Sequence, residues 1–328
     1  MTKLRVGIVG TGYVAKARSE IFRQDQRTEL VAIAGSESRV TPLAQEWGIA
    51  GYYYWSDLVV SHDVDLVVVC CVNSEHGAVV RQALQAGKPV IVDYPIALSY
   101  AEAMALVELA DRQKLTLHLE QIELLGGVHR QVKEWLPLVG KPQYVRYVTQ
   151  TPQRPAPVDK WTYQPAKFGF PLIAAVSRLH RLIDLFGMVS QVSCQLHYQG
   201  LGLPYAFNTC ICHALLQFSA GHLGEVGYHK GEQIWQSERV LEVHGERGGI
   251  FFRGDVGKLV TDSGEQEVKT ESAKGLFRKD TENFLQHLLE GKPLYVDRAK
   301  ILHAIATASA CELSATQGQV MKITELGA

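Results

Sequence analysis

The sequence predicts an α/β chain: a doubly wound parallel sheet in the N-terminal third, then an α+β domain with a large, open, mostly antiparallel sheet. Three observations carry this reading. Through the first 120 residues, short Val- and Ile-rich runs alternate with amphipathic stretches, as strands covered by helices on both faces require. A glycine turn follows the first of those runs directly. Beyond residue 120 the runs alternate hydrophobic with polar, which marks a sheet with one face covered and one open.

Taken in order, 4–9, 30–34, 66–71 and 90–92 read as strands, and 14–23, 40–47, 77–86 and 99–112 have helical spacing and length. Repeated units of this kind form a parallel sheet through crossover connections. In the second half, 144–150, 192–198, 208–218, 224–230, 240–244 and 249–252 alternate as strands. A helix at about 172–187 and terminal helices at 277–290 and 298–316 are expected to cover one face of that sheet. Thr151-Pro-Gln-Arg-Pro-Ala-Pro157 reads as an extended loop at a cleft edge rather than a domain boundary. The expected division is 1–120 and 121–328, without internal repeats or low-complexity linkers.

The glycine turn is specific. Gly7-Ile8-Val9-Gly10-Thr11-Gly12-Tyr13-Val14-Ala15 holds Gly10-x-Gly12-x-x-Ala15 between a strand and a helix, which is the dinucleotide fingerprint of a Rossmann domain. The first glycine permits the tight turn, the second admits the pyrophosphate to the backbone, and Ala15 lets the helix pack closely. The helix N-terminus then offers free N–H groups to the phosphates. Gly10, Thr11, Gly12, Tyr13 and Val14 are therefore candidate cofactor residues.

The end of the second strand selects the cofactor. An acid there holds the ribose 2′-hydroxyl of NADH, whereas Ala34-Gly35-Ser36-Glu37-Ser38-Arg39 offers hydroxyls and a guanidinium. Ser36, Ser38 and Arg39 suit a 2′-phosphate, so NADPH is expected over NADH. Glu37 takes the acid's role if the loop is shifted by two residues.

Composition excludes several classes. Hydrophobic residues make up 46% and charged residues 20%, with a formal net charge of -1, so the chain reads as globular, with neither nucleic acid nor membrane as a partner. No apolar run approaches the roughly 18 residues that span a bilayer, and the start of the chain enters a strand without room for a signal peptide. Cys70, Cys71, Cys194, Cys210, Cys212 and Cys311 form no Cys-x-x-Cys pair, which argues against a zinc ribbon or dithiol site. They read as buried thiols of a cytoplasmic protein, and no metal is expected.

Asn73-Ser-Glu-His76, Ala83-Leu-Gln-Ala-Gly-Lys-Pro-Val-Ile-Val92 and Asp93-Tyr94-Pro95 resemble the glucose-fructose oxidoreductase / inositol dehydrogenase (Gfo/Idh/MocA) family. That family carries an Asn and a His after the fourth strand and Glu-Lys-Pro after the fifth, the Lys serving catalysis. Here Asp93 and Tyr94 take the Glu and Lys positions. The family's helix matching 172–187 bears an Asp and a His four residues apart for polyol oxidation, where this chain has Ser177 and Arg181. These departures resemble the biliverdin reductase branch. So do Asp93-Tyr-Pro-Ile-Ala-Leu-Ser99, Leu117-His-Leu-Glu120-Gln-Ile-Glu123-Leu-Leu125, Gly169-Phe-Pro171, Ser177-Arg178-Leu179, Leu185-Phe-Gly187, Phe277-Arg-Lys-Asp280 and Ala299-Lys-Ile-Leu-His303.

The resemblance implies hydride transfer from NADPH to the central methine carbon of biliverdin, giving bilirubin. It adds Asn73, His76 and Asp93 to the cofactor residues and places Tyr94, Glu120, Glu123, Arg178 and Arg181 near the chemistry. Arg178 is the expected substrate-side partner of the reaction, and Arg181 its helper or a propionate ligand. Glu120 and Glu123, spaced i, i+3 after a strand, hold the cofactor carboxamide or a pyrrole N–H, or cap the next helix. The open sheet face is the expected seat of the flat dicarboxylate, lined by candidates among Arg146, Tyr147, Trp161, Phe168, Phe170, His213 and Arg253. A monomer or weak homo-oligomer is expected. The alternatives are an NADP-dependent sugar or polyol oxidoreductase of the same family, and a non-catalytic NADPH-binding sensor.

Overall fold

The computed structural model describes residues 3–200 and 205–324, so Met1 and Thr2 of the expected strand approach lie outside it. The chain divides into two compact units, one running up to Gln121 and including Phe277–Val296, the other formed by Ile122–Leu276 and the chain from Asp297 onward.

The first unit alternates strand and helix: β1 (Leu4–Val9), α1 (Tyr13–Gln24), β2 (Thr28–Ala34), α2 (Glu37–Trp47), β3 (Ala50–Tyr52), α3 (Trp55–Val60), β4 (Leu66–Val69), α4 (Asn73–Gln85), β5 (Val90–Val92), α5 (Tyr100–Gln113) and β6 (Leu117–Leu119). Among the described residues its sheet has the order β3-β2-β1-β4-β5-β6, and every pair is parallel. The expected strands and helices are present, joined by the short β3, α3 and β6. The strand order reverses between β1 and β4, which opens a crevice beyond their C-terminal ends. Every cofactor candidate lies just past the end of one of these strands.

One expectation is corrected here. The helix Leu276–Glu290 packs against the first unit, not the second sheet: Phe284 and Leu285 are fully buried with Val6, Ile8, Phe22, Leu30, Leu66 and Ile91. Burying side chains of this size stabilises by about 2–3 kcal/mol each.

The second unit opens with a 3-10 turn (Ile122–Leu125), α6 (Gly127–Val139) and the long strand β7 (Pro142–Pro152). A second 3-10 turn (Trp161–Tyr163) leads to α7 (Pro165–Phe168), α8 (Pro171–Ala174) and α9 (Val176–Phe186). The strands β8 (Val189–Gln199), β9 (Thr209–Phe218), β10 (Leu223–Gly231), β11 (Glu238–Gly245), β12 (Gly248–Arg253), β13 (Val256–Thr261) and β14 (Gly264–Lys269) follow. After α10, the helix Leu276–Glu290 of the first unit, come α11 (Arg298–Gln317) and β15 (Met321–Lys322). The helix expected at 172–187 is two helices, because Ala175 leaves helical geometry between them.

Among the described residues the sheet runs β14-β13-β12-β11-β7-β10-β9-β8-β15, antiparallel throughout except where β10 lies parallel to β7. Opposed residues share a face, so the register sorts the side chains. Val145, Tyr147 and Thr149 of β7 lie with Val226, Tyr228 and Lys230 of β10 on the face covered by α9 and α11. Arg146, Glu225, Glu242 and His213 belong to the other face. No helix among the described residues is long and apolar enough to cross a membrane.

Candidate active site

The glycine turn shows two different reasons for glycine. Gly10 has φ +130°, and a β-carbon there would collide with the Cys70 carbonyl oxygen, so the turn itself demands glycine. Gly12, the N-cap of α1, has an ordinary φ of -80° and nothing within 4 Å of where a β-carbon would stand. The fold has no need of glycine there, and the open space lies at a helix N-terminus with no acidic residue in its first turn. That arrangement fits a phosphate.

At the end of β2, a β-carbon on Gly35 would come 2.9 Å from Thr11 Cγ2, so any side chain there would require Thr11 to shift. Ser36, Glu37, Ser38 and Arg39 are all exposed at the start of α2, where they can meet a ligand. Tyr13 is exposed beside the turn, while Val14 is half-buried against the core.

Of the remaining candidates of this unit, Asn73, His76 and Glu120 are buried, and Asp93 and Tyr94 are half-buried. Asn73 starts α4, and Glu120 follows β6. His76 sets one ring nitrogen 2.8 Å from Pro95 O and the other 3.2 Å from Cys71 O. Its imidazole therefore pins the turn containing the cis Tyr94–Pro95 bond, and Tyr94 is half-buried in that turn. Asp93 is likewise engaged: its Oδ1 accepts from Arg18 Nε and Nη2, both at 3.2 Å. His76 and Asp93, both expected at the cofactor, thus hold hydrogen bonds in and beside the turn that carries Tyr94.

Arg18 was not among the candidates. It is fully buried on α1 and also bridges Asp280, whose carboxylate accepts from His118 Nε2 and Tyr295 Oη, each at 2.7 Å. Tyr295 in turn accepts the Gln121 N–H, next to Glu120. The spacing Ala15–Arg18–Phe22 on the core face of α1 was the available signal.

In the second unit, α9 presents Arg178 and Arg181 to the covered face of β7, and the two are not equivalent. Arg181 is buried and enclosed: Nη1 donates to Tyr147 Oη at 3.1 Å, and Nη2 to Glu123 O at 3.0 Å, with Glu123 Oε2 at 3.5 Å. Burial opposes ionisation of Glu123, but the charges of Arg181, Arg178 and Arg239 prevail and hold its carboxyl down at about 2. Glu123 is thereby placed as the counter-ion of Arg181. Arg178 is half-buried, donates through Nε to Thr149 Oγ1 at 2.9 Å, and stands 5.2 Å over the Tyr228 ring. Its terminal nitrogens have no hydrogen-bond partner among the described residues.

The set expected on the open face is split. Tyr147 is fully buried on the helix-covered face, and Phe168 and Phe170 are buried beside α8. Phe168 meets Tyr228 of the covered face at 6.0 Å between ring centroids and Trp161 at 6.2 Å. Arg146 and His213 do lie on the open face, both held by Glu225 at 3.1 Å, and Arg253 pairs with Glu238. Arg146 therefore stands apart from Arg178, Arg181 and Glu123. Alternation locates an open face without saying which face carries unengaged donors.

Comparison with known proteins agrees with this layout. The model of the oxidoreductase family's NAD-binding Rossmann fold matches residues 4–121, and that of its C-terminal alpha/beta domain matches 139–323. The biliverdin reductase of Synechocystis sp. PCC 6803, solved with biliverdin and NADP+, is 44% identical with a TM-score of 0.93, over 96% of this chain and 100% of that one. Biliverdin reductase A of Mus musculus is 28% identical over 94% of both chains. That of Homo sapiens is 29% identical over 77% of this chain and 76% of its own. With both domains matched in order, the chain belongs to the Gfo/Idh/MocA family of oxidoreductases.

Proposed function

We propose that the chain reduces biliverdin to bilirubin with NADPH, by hydride transfer to the central methine carbon. The observation that carries this is the state of Arg178, a half-buried guanidinium whose terminal donors meet no partner among the described residues, with an aromatic ring beneath it. Its setting supports the same reading, since a structure 44% identical was solved with biliverdin and NADP+.

Bound NADPH supplies the hydride. Gly10, Thr11, Gly12, Tyr13 and Val14 hold its pyrophosphate at the start of α1, and Ser36, Ser38 and Arg39 take the 2′-phosphate. Asn73, Tyr94 and Glu120 line the strand ends, with His76 and Asp93 fixing the Tyr94 turn. On the second unit, Phe170, Arg178 and Arg181 with its counter-ion Glu123 receive the tetrapyrrole.

Reduction leaves a pyrrole nitrogen needing a proton. Ionised Glu123 does not provide it, and a guanidinium with a pKa above about 12 is a poor acid. Arg178 instead donates a hydrogen bond at that nitrogen, orders the water that delivers the proton, and stabilises charge arriving with the hydride. Ser177 and Arg181, in place of the acid and base used on polyols, leave sugar oxidation without its proton-transfer pair.

The test is to mix protein, NADPH and biliverdin and follow loss of the long-wavelength band with growth of the bilirubin band. Absence of that change, with activity on a cyclic polyol instead, would support the sugar oxidoreductase; bound cofactor without any turnover would support a sensor.

A further inference from the structure

Lys230 is the penultimate residue of β10, on the helix-covered face, and is 8% exposed. A buried ammonium normally sits beside a carboxylate, because an uncompensated charge in the interior is costly. Lys230 has none among the described residues. Its Nζ donates to Thr162 O at 3.1 Å, and lies 3.9 Å from the Tyr163 ring centroid and 5.4 Å from that of Phe168. Its cross-strand neighbours, Thr151 and Cys210, bring no formal charge. Rings can cradle a cation, yet they leave its remaining N–H donors without an acceptor.

The same rings lead to Arg178. Phe168, beside Lys230, contacts Tyr228 at 6.0 Å, and the Arg178 guanidinium stands 5.2 Å over Tyr228. One face of one unit thus carries two neighbouring rings flanked by two cations, each with donors that meet no acceptor among the described residues.

We propose that Lys230 is a ligand-binding residue: it takes a carboxylate side chain of a flat conjugated molecule whose ring nitrogens meet Arg178 across the Tyr228–Phe168 strip. The identity of that molecule as a linear tetrapyrrole rests on the function proposed above; the assignment of one propionate to Lys230 is new. Phe168 and Tyr228 supply the stacking surface, and Lys230 sets which end of the molecule lies where.

The experiment measures binding of biliverdin and of its propionate dimethyl ester, by ligand absorbance and tryptophan quenching, to the wild type, Lys230→Met and Lys230→Arg. The wild type should prefer the free acid by about tenfold, as expected for a hydrogen bond to a charged group. Lys230→Met should lose that preference, and Lys230→Arg should keep it. As a readout independent of variants, biliverdin but not its diester should protect Lys230 from reductive methylation. An unchanged preference in Lys230→Met, equal labelling with both ligands, or no binding of either ligand overturns the proposal. Lys230-dependent binding without turnover keeps this site and refutes the reduction; turnover indifferent to Lys230 does the reverse.

Discussion

Arg18 Nη1 lies 2.9 Å from Asp280 Oδ2, and both side chains are fully buried. The pair joins α1, which follows the glycine turn, to α10, a helix from the far end of the sequence. Burial disfavours the Asp280 carboxylate, but His118 and Arg18 outweigh it and hold its carboxyl well below the usual range. Removing one partner of such a pair strands the other charge, whereas replacing both by apolar groups is far milder. Asp280→Ala should therefore cost about 3 kcal/mol of stability in urea unfolding, and the same change made in an Arg18→Met background markedly less. Equal costs in the two backgrounds would show that the charges are not coupled.

Arg178 and Arg181 should respond oppositely to truncation. Arg178 holds one internal hydrogen bond, so Arg178→Met should leave stability nearly intact while lowering kcat by about a hundredfold, with NADPH affinity unchanged. Arg181→Met takes from buried Glu123 the nearest of its three cations and should cost about 3 kcal/mol of stability. Near wild-type kcat in Arg178→Met would remove it from the reaction.

Cofactor choice is tested at α2. Arg39→Ala should weaken NADPH by roughly tenfold or more, the worth of a hydrogen bond to a charged group, and leave NADH unchanged. Equal losses for both cofactors would place Arg39 outside the 2′-phosphate site.

His180 gives a pH signature. It is fully buried on α9, neither ring nitrogen has a hydrogen-bond partner among the described residues, and burial pushes its pKa from 6.5 down to about 4, against the pull of Asp184. The unfolded chain therefore binds a proton that the folded chain refuses. Stability should fall as pH drops below about 6.5, by about 3 kcal/mol once pH is below about 4. His180→Leu should flatten the stability profile between pH 6.5 and 4.5 by roughly 2 kcal/mol. A slope identical to wild type would mean that another group carries the proton.

The parts legible in the sequence were those set by neighbouring residues. The glycine turn, the strand β1 with its single charged residue Arg5, and the all-apolar β4 need only local pattern, and they are found where expected. The strand β14, Gly264-Glu-Gln-Glu-Val-Lys269, is exposed at a sheet edge and has no apolar face to reveal it. The helix α6 carries Pro137, which reads as a breaker. Nothing local in α10 names its partner sheet, so its placement waited on contacts with Val6 and Ile91. The site divides the same way. Arg178 and Arg181 could be named from resemblance, but their unequal engagement depends on Glu123, Tyr147 and Thr149, brought together by the sheet. Lys230 shares its parity along β10 with buried Val226 and half-buried Tyr228, a pattern that becomes informative once the missing counter-ion is seen.

The proposed reaction delivers a hydride to one carbon of one substrate. Its most direct test is to supply NADPH deuterated at the transferring C4 position with biliverdin, and read the product by proton NMR and mass spectrometry. A single deuteron on the central bridging carbon of bilirubin is the predicted result. Bilirubin without deuterium at that carbon, or no bilirubin at all, would contradict it.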